Sequence, residues 1–314
     1  MKSSLKRRLP LFGFLISILF LGLAFRGIAW EEWFDQVRSV KTGFLLTATL
    51  LNGAAILLKA ARWQLILRPF EKVALIETFK ATCIGLMGNN IFPFKAGELI
   101  RVFVLARRIR VRRTTLVSTA VTERIVEAIS FLILFPLLVW LTPVPGWLRY
   151  GVGILGAITL TVFTLLYLLA HWGKGREELF RSRHLAEFLN GLEPLRRVEI
   201  FLPALALALI GWFVQGGVVW LAARSVGLPL EPSVALFVLV AVNLSVVIPA
   251  AAGHIGTFEY AIWLALQFFA VPKALALGFA VVYHLLQWVP VTLAGWILMI
   301  RIGMKVKELQ AEED

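Results

Sequence analysis

Residues 88–101 read Gly88-Asn89-Asn90-Ile91-Phe92-Pro93-Phe94-Lys95-Ala96-Gly97-Glu98-Leu99-Ile100-Arg101. They interrupt Val73 to Leu105, a stretch otherwise apolar enough to lie inside a membrane. Proline removes a backbone donor and glycine loosens a helix, so one uninterrupted helix does not fit this stretch. Two arrangements do. One is a pair of ordinary helices joined by a polar turn outside the membrane. The other is a re-entrant hairpin, two half-helices that enter and leave on the same side, with irregular backbone tolerated at depth only where protein or a watery cavity satisfies it. Flanking charge favours the hairpin: Arg68 and Lys72 precede it, Arg107, Arg108, Arg110, Arg112 and Arg113 follow it, and such basic blocks mark the cytoplasmic side.

A second apolar stretch, Ser233 to Val271, is broken by Asn243, Pro249, Gly253, His254, Gly256 and Glu259. Pro93 to Gly97 and Pro249-Ala250-Ala251-Ala252-Gly253 share the spacing P-x-x-x-G about half a chain apart. Around them the 314 residues are 59% hydrophobic and 16% charged, against about 45–50% and about 25% in a soluble domain. An all-α polytopic membrane protein is the fold class this dictates. Apolar runs at Leu9 to Phe25, Thr42 to Leu67, Thr114 to Leu141, Gly151 to Ala170, Ile200 to Ala222 and Ala274 to Ile300 predict six full spans. The turns at 142–150 and 223–232 carry only Arg149 and Arg224, whereas the alternate loops are rich in Lys and Arg, so both termini are expected in the cytoplasm. Each half, about 1–148 and 149–314, then reads span, span, broken hairpin, span. The hairpins open on opposite sides, which is the pattern of an inverted repeat within a single transmembrane domain. The hydrophilic loop at 171–199 is too short for a soluble catalytic domain.

The net charge of +13 falls in short loop blocks, which suits membrane topology and not nucleic-acid binding. A lone Cys83 excludes an intrachain disulfide and a thiolate cage, and aspartate occurs only at Asp35 and Asp314. No metal and no cofactor is expected. His254 and His284, without a nearby Asp or Cys, make a poor metal site and read as structural, hydrogen-bonded histidines. The chain carries no G-x-S-x-G, H-E-x-x-H or G-x-x-x-x-G-K signature.

A half-helix that starts within the membrane points unpaired N–H groups and the positive end of its dipole at the break, and an anion is the natural guest there. Starts are predicted near Gly97 and near Gly256, with Lys95 and Arg101 adding charge to the first. Pro93, Gly97, Pro249, Gly253 and Gly256 shape the breaks, and Asn89 and Asn90 supply polar lining. Glu98 and Glu259 fall in the first turns, where a carboxylate either caps the helix or serves function. Glu123, Arg124 and Glu127 lie about three turns inside the third span, where each charge costs roughly 2.5–3.5 kcal/mol to insert. They are either a structural ion pair or a phosphate site in which Arg124 binds and a carboxylate balances charge or carries a proton. Lys59 and Arg62 either snorkel to the interface or touch a substrate.

Residues 88–101, together with Arg62-Trp63, Thr122-Glu123-Arg124-Ile125-Val126-Glu127 and Pro249 to Glu259, resemble the transmembrane region of the lysylphosphatidylglycerol synthase family, also described as flippase-like membrane proteins. Glu127 stands where that family usually has Asp, and Pro-Ala-Ala-Ala-Gly is plainer than the family's often serine-bearing stretch. The resemblance implies movement of a lipid with an anionic or modified headgroup across the cell membrane through a central cationic cavity. Arg62, Lys95, Arg101, Arg124, Asn89 and Asn90 would bind the headgroup, and Glu98, Glu123, Glu127 and Glu259 would balance charge or couple protons. With no aminoacyl-transfer domain in these residues, the chain is not expected to make the lipid. Rival readings are an intramembrane enzyme that modifies a headgroup, which would change the lipid, and a non-catalytic partner of a lipid or glycan synthase.

Overall fold

The structure is a computed structural model and describes residues 2–92, 96–172, 183–246, 248 and 250–304. Among these the chain forms twelve α-helices and no strand. Five are long and apolar enough to cross a bilayer: α3 (Thr42–Leu67), α6 (Arg113–Leu141), α7 (Gly146–Trp172), α9 (Val198–Ser225) and α12 (Lys273–Arg301). At about 1.5 Å per residue each exceeds the roughly 30 Å hydrocarbon core. Their outer faces carry side chains such as Leu50, 77% exposed, and Trp140, 80% exposed, which are stable against lipid tails and not against water.

The sixth expected span is different in kind. Gly13–Phe25 of α1 (Lys2–Phe25) passes as a span only together with α2 (Trp30–Arg38), and the two are bent by 97°. Trp30, Trp33 and Phe34 of α2 form an aromatic cluster with Phe25 at this corner, as befits a short amphipathic helix at headgroup depth. The loop at 171–199 contains a further amphipathic helix, α8 (Arg183–Asn190). Glu187 pins it to the start of α6 by pairing with Arg112 and accepting a 2.5 Å hydrogen bond from Thr114.

Both interrupted stretches are hairpins of helices too short to cross alone. The first is α4 (Leu75–Ile91) with α5 (Gly97–Ala106), and the second is α10 (Pro232–Ser245) with α11 (Thr257–Gln267). In the first, Gly85 lies against Arg101 and Gly88 against Gly97, so α5 runs back along α4. In the second, Phe237 packs on Phe269 with ring centroids 5.0 Å apart, and the reversal falls at 252–253. A long helix, a short pair and a long helix thus follow one another twice, as α3, α4–α5, α6 and as α9, α10–α11, α12.

Gly97 makes the first reversal possible. A Cβ there would run into the Gly85 carbonyl and come within 2.6 Å of the Asn89 backbone nitrogen. Gly97→Ala is therefore expected to cost about 3 kcal/mol or more through overpacking against backbone that cannot yield. Gly53→Ala, where an added methyl meets nothing within 4 Å, is the matched control. Thermal unfolding in detergent should show a large drop for the first and none for the second.

Candidate functional site

A cavity of about 360 Å³ lies where the two breaks meet. Its walls come from α3, α4, α5, α6, α9, α10, α11 and α12, so no one half of the chain makes it alone. The meeting is direct. A Cβ on Gly253 would sit 3.6 Å from the Asn90 carbonyl oxygen and 2.9 Å from the Trp288 indole nitrogen. Asn90 in turn donates to Thr292 Oγ1 at 2.8 Å, which ties the end of α4 to α12.

On one side of the cavity the charged residues form a single network. Glu123 is fully buried and holds two guanidinium groups, Arg62 at 2.8 Å through Oε1 and Arg101 through Oε2. Arg101 also reaches Glu98 at 2.7 Å, and its guanidinium lies 4.7 Å from the ring centre of the buried Trp63. Arg124 bridges Glu98 at 3.0 Å and Glu127 at 2.6 Å, while Lys59 stands 3.9 Å from Glu127. Among the described residues this gives four cations against three carboxylates, so the network carries one positive charge more than it neutralises. Such pairs are not primarily a source of stability, because desolvating the charges offsets most of their attraction. What the network does is hold several charges at fixed positions beside a hollow.

The network divides into a buried part and a lining part. Lys59, Arg62, Glu98, Arg124 and Glu127 border the cavity, as do Asn89 and Asn90. Arg101 and Glu123 do not, and lie behind them, 2% and 0% exposed. Arg124 is the most open of the three arginines in the network, with 41% of its side chain exposed, although its Nε and Nη2 are themselves buried and Nη2 faces Glu98. The Asn89 side-chain oxygen and the Trp288 indole nitrogen are likewise buried without a partner at the cavity wall.

The second break is organised differently. Helix α11 begins at Thr257, and Gly256, at φ +91°, turns the chain into it. Glu259 Oε2 accepts the Gly256 N–H at 2.7 Å, so the positive end of α11 is answered by its own carboxylate and not left for a guest. Glu259 Oε1 contacts His284 Nδ1 at 2.6 Å, and His284 Nε2 lies 2.9 Å from the Gly253 carbonyl. Of the two helix starts expected to face an anion, α5 carries Glu98 in its first turn at the cavity, and α11 has a terminus capped by Glu259. Pro93, Lys95 and Pro249 lie outside the described residues.

Several lining residues carry no signature of their own in the sequence. Gln287 donates to Gln215 and to the Tyr283 hydroxyl, both at 3.0 Å, and Gln215 donates to Asn52 at 3.2 Å, linking α12, α9 and α3 along the wall. The available signal was periodicity: Asn52, Ala55, Lys59 and Arg62 fall on one helical face of α3, polar or small where a lipid-facing stripe would be large and apolar. Among the described residues no group of three or more His, Cys, Asp and Glu is placed to hold a metal ion.

Long apolar helices, two interrupted hairpins and a charged hollow between them define a multi-pass helical membrane protein with an internal polar site. The profile of the lysylphosphatidylglycerol synthase TM region matches residues 11–295, and the chain belongs to that family. It is similar to UPF0104 membrane protein MJ1078 of Methanocaldococcus jannaschii, 25% identical over 67% of this chain and 92% of that one. It is also similar to UPF0104 membrane protein MJ1595 of the same organism, at 21% identity over 93% of this chain and 94% of the relative.

Proposed function

We propose that the protein moves a lipid with an anionic headgroup across the cell membrane, the headgroup passing through the central cavity while the acyl chains stay in the bilayer. The observation that carries this reading is a cavity built jointly by both hairpins and bordered by a charge network with one unmatched positive charge. Its volume, about 360 Å³, suits a phosphate with a few polar atoms attached and not a whole diacyl lipid. The repeated order of long helix, short pair and long helix fits two halves of opposite orientation, both termini in the cytoplasm, with one half rocking against the other to expose the site to either face.

The test is reconstitution in liposomes with fluorescently labelled phosphatidylglycerol or phosphatidylcholine in the outer leaflet, read by quenching of the label that remains outside. Protein-dependent gain of protection from the quencher is expected for phosphatidylglycerol, more slowly for phosphatidylcholine, with the lipid's mass unchanged. Movement of neither lipid, or recovery of a chemically altered lipid, would overturn the reading.

A further inference from the structure

We propose that the His284–Glu259 pair is a proton-binding site of the cavity, holding one exchangeable proton that binds together with the anionic headgroup. This rests on the transport reading above and deepens it by naming the coupled ion. Hydrogen bonding alone fixes how many protons the pair needs. His284 Nε2 faces the Gly253 carbonyl oxygen at 2.9 Å, and a carbonyl can only accept, so Nε2 carries hydrogen. His284 Nδ1 faces Glu259 Oε1 at 2.6 Å, where two bare lone pairs would repel, so a second proton lies between them. Whether it sits on nitrogen or oxygen, the pair with this proton is neutral overall. Without it the pair carries one negative charge.

That charge would be hard to keep. Phe258 stacks on the imidazole with centroids 4.3 Å apart, and the other oxygen of Glu259 is already engaged by the Gly256 N–H. Both His284 and Glu259 are buried, 9% and 5% exposed, and His284 borders the cavity. His254 and Tyr283 flank the pair, while Lys59, Arg62, Glu98, Arg124 and Glu127 border the same cavity from α3, α5 and α6. Helix α10 brings no ionisable residue. In the other neighbours of α11 and α12 such groups fall toward the ends: Arg26 beyond α1, Glu31, Glu32, Asp35 and Arg38 on α2, Glu77 and Lys80 on α4, and Glu199 and Arg224 on α9. An anion drawn in by the arginines thus shares a poorly screened hollow with a pair that is neutral when loaded and negative when empty. Lipid and proton favour each other's binding, and by linkage the effect is reciprocal.

The experiment titrates detergent-solubilised full-length protein with dihexanoylphosphatidylglycerol in weakly buffered solution at steps from about pH 5 to about pH 8. A pH indicator reads protons taken up, and the phosphodiester stays singly charged throughout. Wild type is expected to take up protons as lipid binds, and its affinity to fall about tenfold from the low to the high end of the range. Glu259→Gln and His284→Gln, which keep the size of a hydrogen-bonding side chain or nearly so, are expected to bind lipid without proton uptake. No uptake by wild type on binding would overturn the proposal, and so would uptake retained in both variants. Should neither variant fold, spectra of 15N-histidine-labelled wild type decide: a ring signal that titrates differently with and without lipid supports the pair, and identical titrations overturn it. Lipid that binds and crosses liposomes without proton uptake removes this proposal and leaves the transport reading intact, whereas failure to move any lipid removes transport alone.

Discussion

Glu123→Ala is expected to lose about 3–5 kcal/mol of stability, the cost of leaving buried charge without its partner. Glu123 is fully buried and is the one carboxylate that both Arg62 and Arg101 share. Arg101, 2% exposed, keeps Glu98 at 2.7 Å, but Arg62 keeps only Glu127 at 3.6 Å. The Arg101 guanidinium, behind the cavity wall and 2% exposed, has no water to replace the lost carboxylate. Fluorescence-monitored thermal unfolding should show the loss, and a melting curve like that of wild type would mean the three side chains are not buried together. Replacing the whole triad, as Arg62→Leu with Arg101→Met and Glu123→Leu, should recover most of the stability, since apolar side chains of similar volume often replace a buried ionic group at no net cost. It should not recover lipid movement, because Arg62 borders the cavity.

Arg124→Ala is the converse: a large effect on movement with a small one on folding. Its side chain is 41% exposed into the cavity, and the carboxylates it bridges retain other partners, Arg101 for Glu98 and Lys59 and Arg62 for Glu127. A hydrogen bond to a charged group contributes about 1.5–3 kcal/mol, so phosphatidylglycerol movement should fall about ten- to a hundredfold. Arg124→Lys should restore part of it, because the charge returns while the planar fork does not. An alanine variant that matches wild type in the liposome assay would remove Arg124 from the site. Arg101→Ala, attractive from the sequence, is the poorer probe, since Arg101 lies behind the cavity wall and its loss unbalances Glu123.

The hairpins were legible because their causes are local. Proline, glycine and asparagine clustered inside an apolar stretch favour a break, though single ones do not force it, since Pro136, Pro203 and Pro290 lie inside α6, α9 and α12; α5 and α11 start at Gly97 and Thr257, after such clusters. Charges at membrane depth were legible because their insertion cost marks them whatever they touch. The roles inside that set were not. Arg101 and Arg124 look equivalent along the chain, yet one is buried between Glu98, Glu123 and Trp63 and the other opens to the cavity. Glu259 offered a cap or a functional group; one of its oxygens caps α11 and the other contacts His284.

What the sequence by itself determined is where this chain is apolar, where its helices must break and which residues are too costly to leave unpaired. Those properties belong to single residues and their immediate neighbours. Which carboxylate serves which cation, and that His284 closes on Glu259 from another helix 25 residues away, was decided only by packing. Hydrogen bonds and ion pairs act over a few ångströms, many pairings would relieve the same burial cost, and only the arrangement of α3, α5, α6, α11 and α12 in space selects among them.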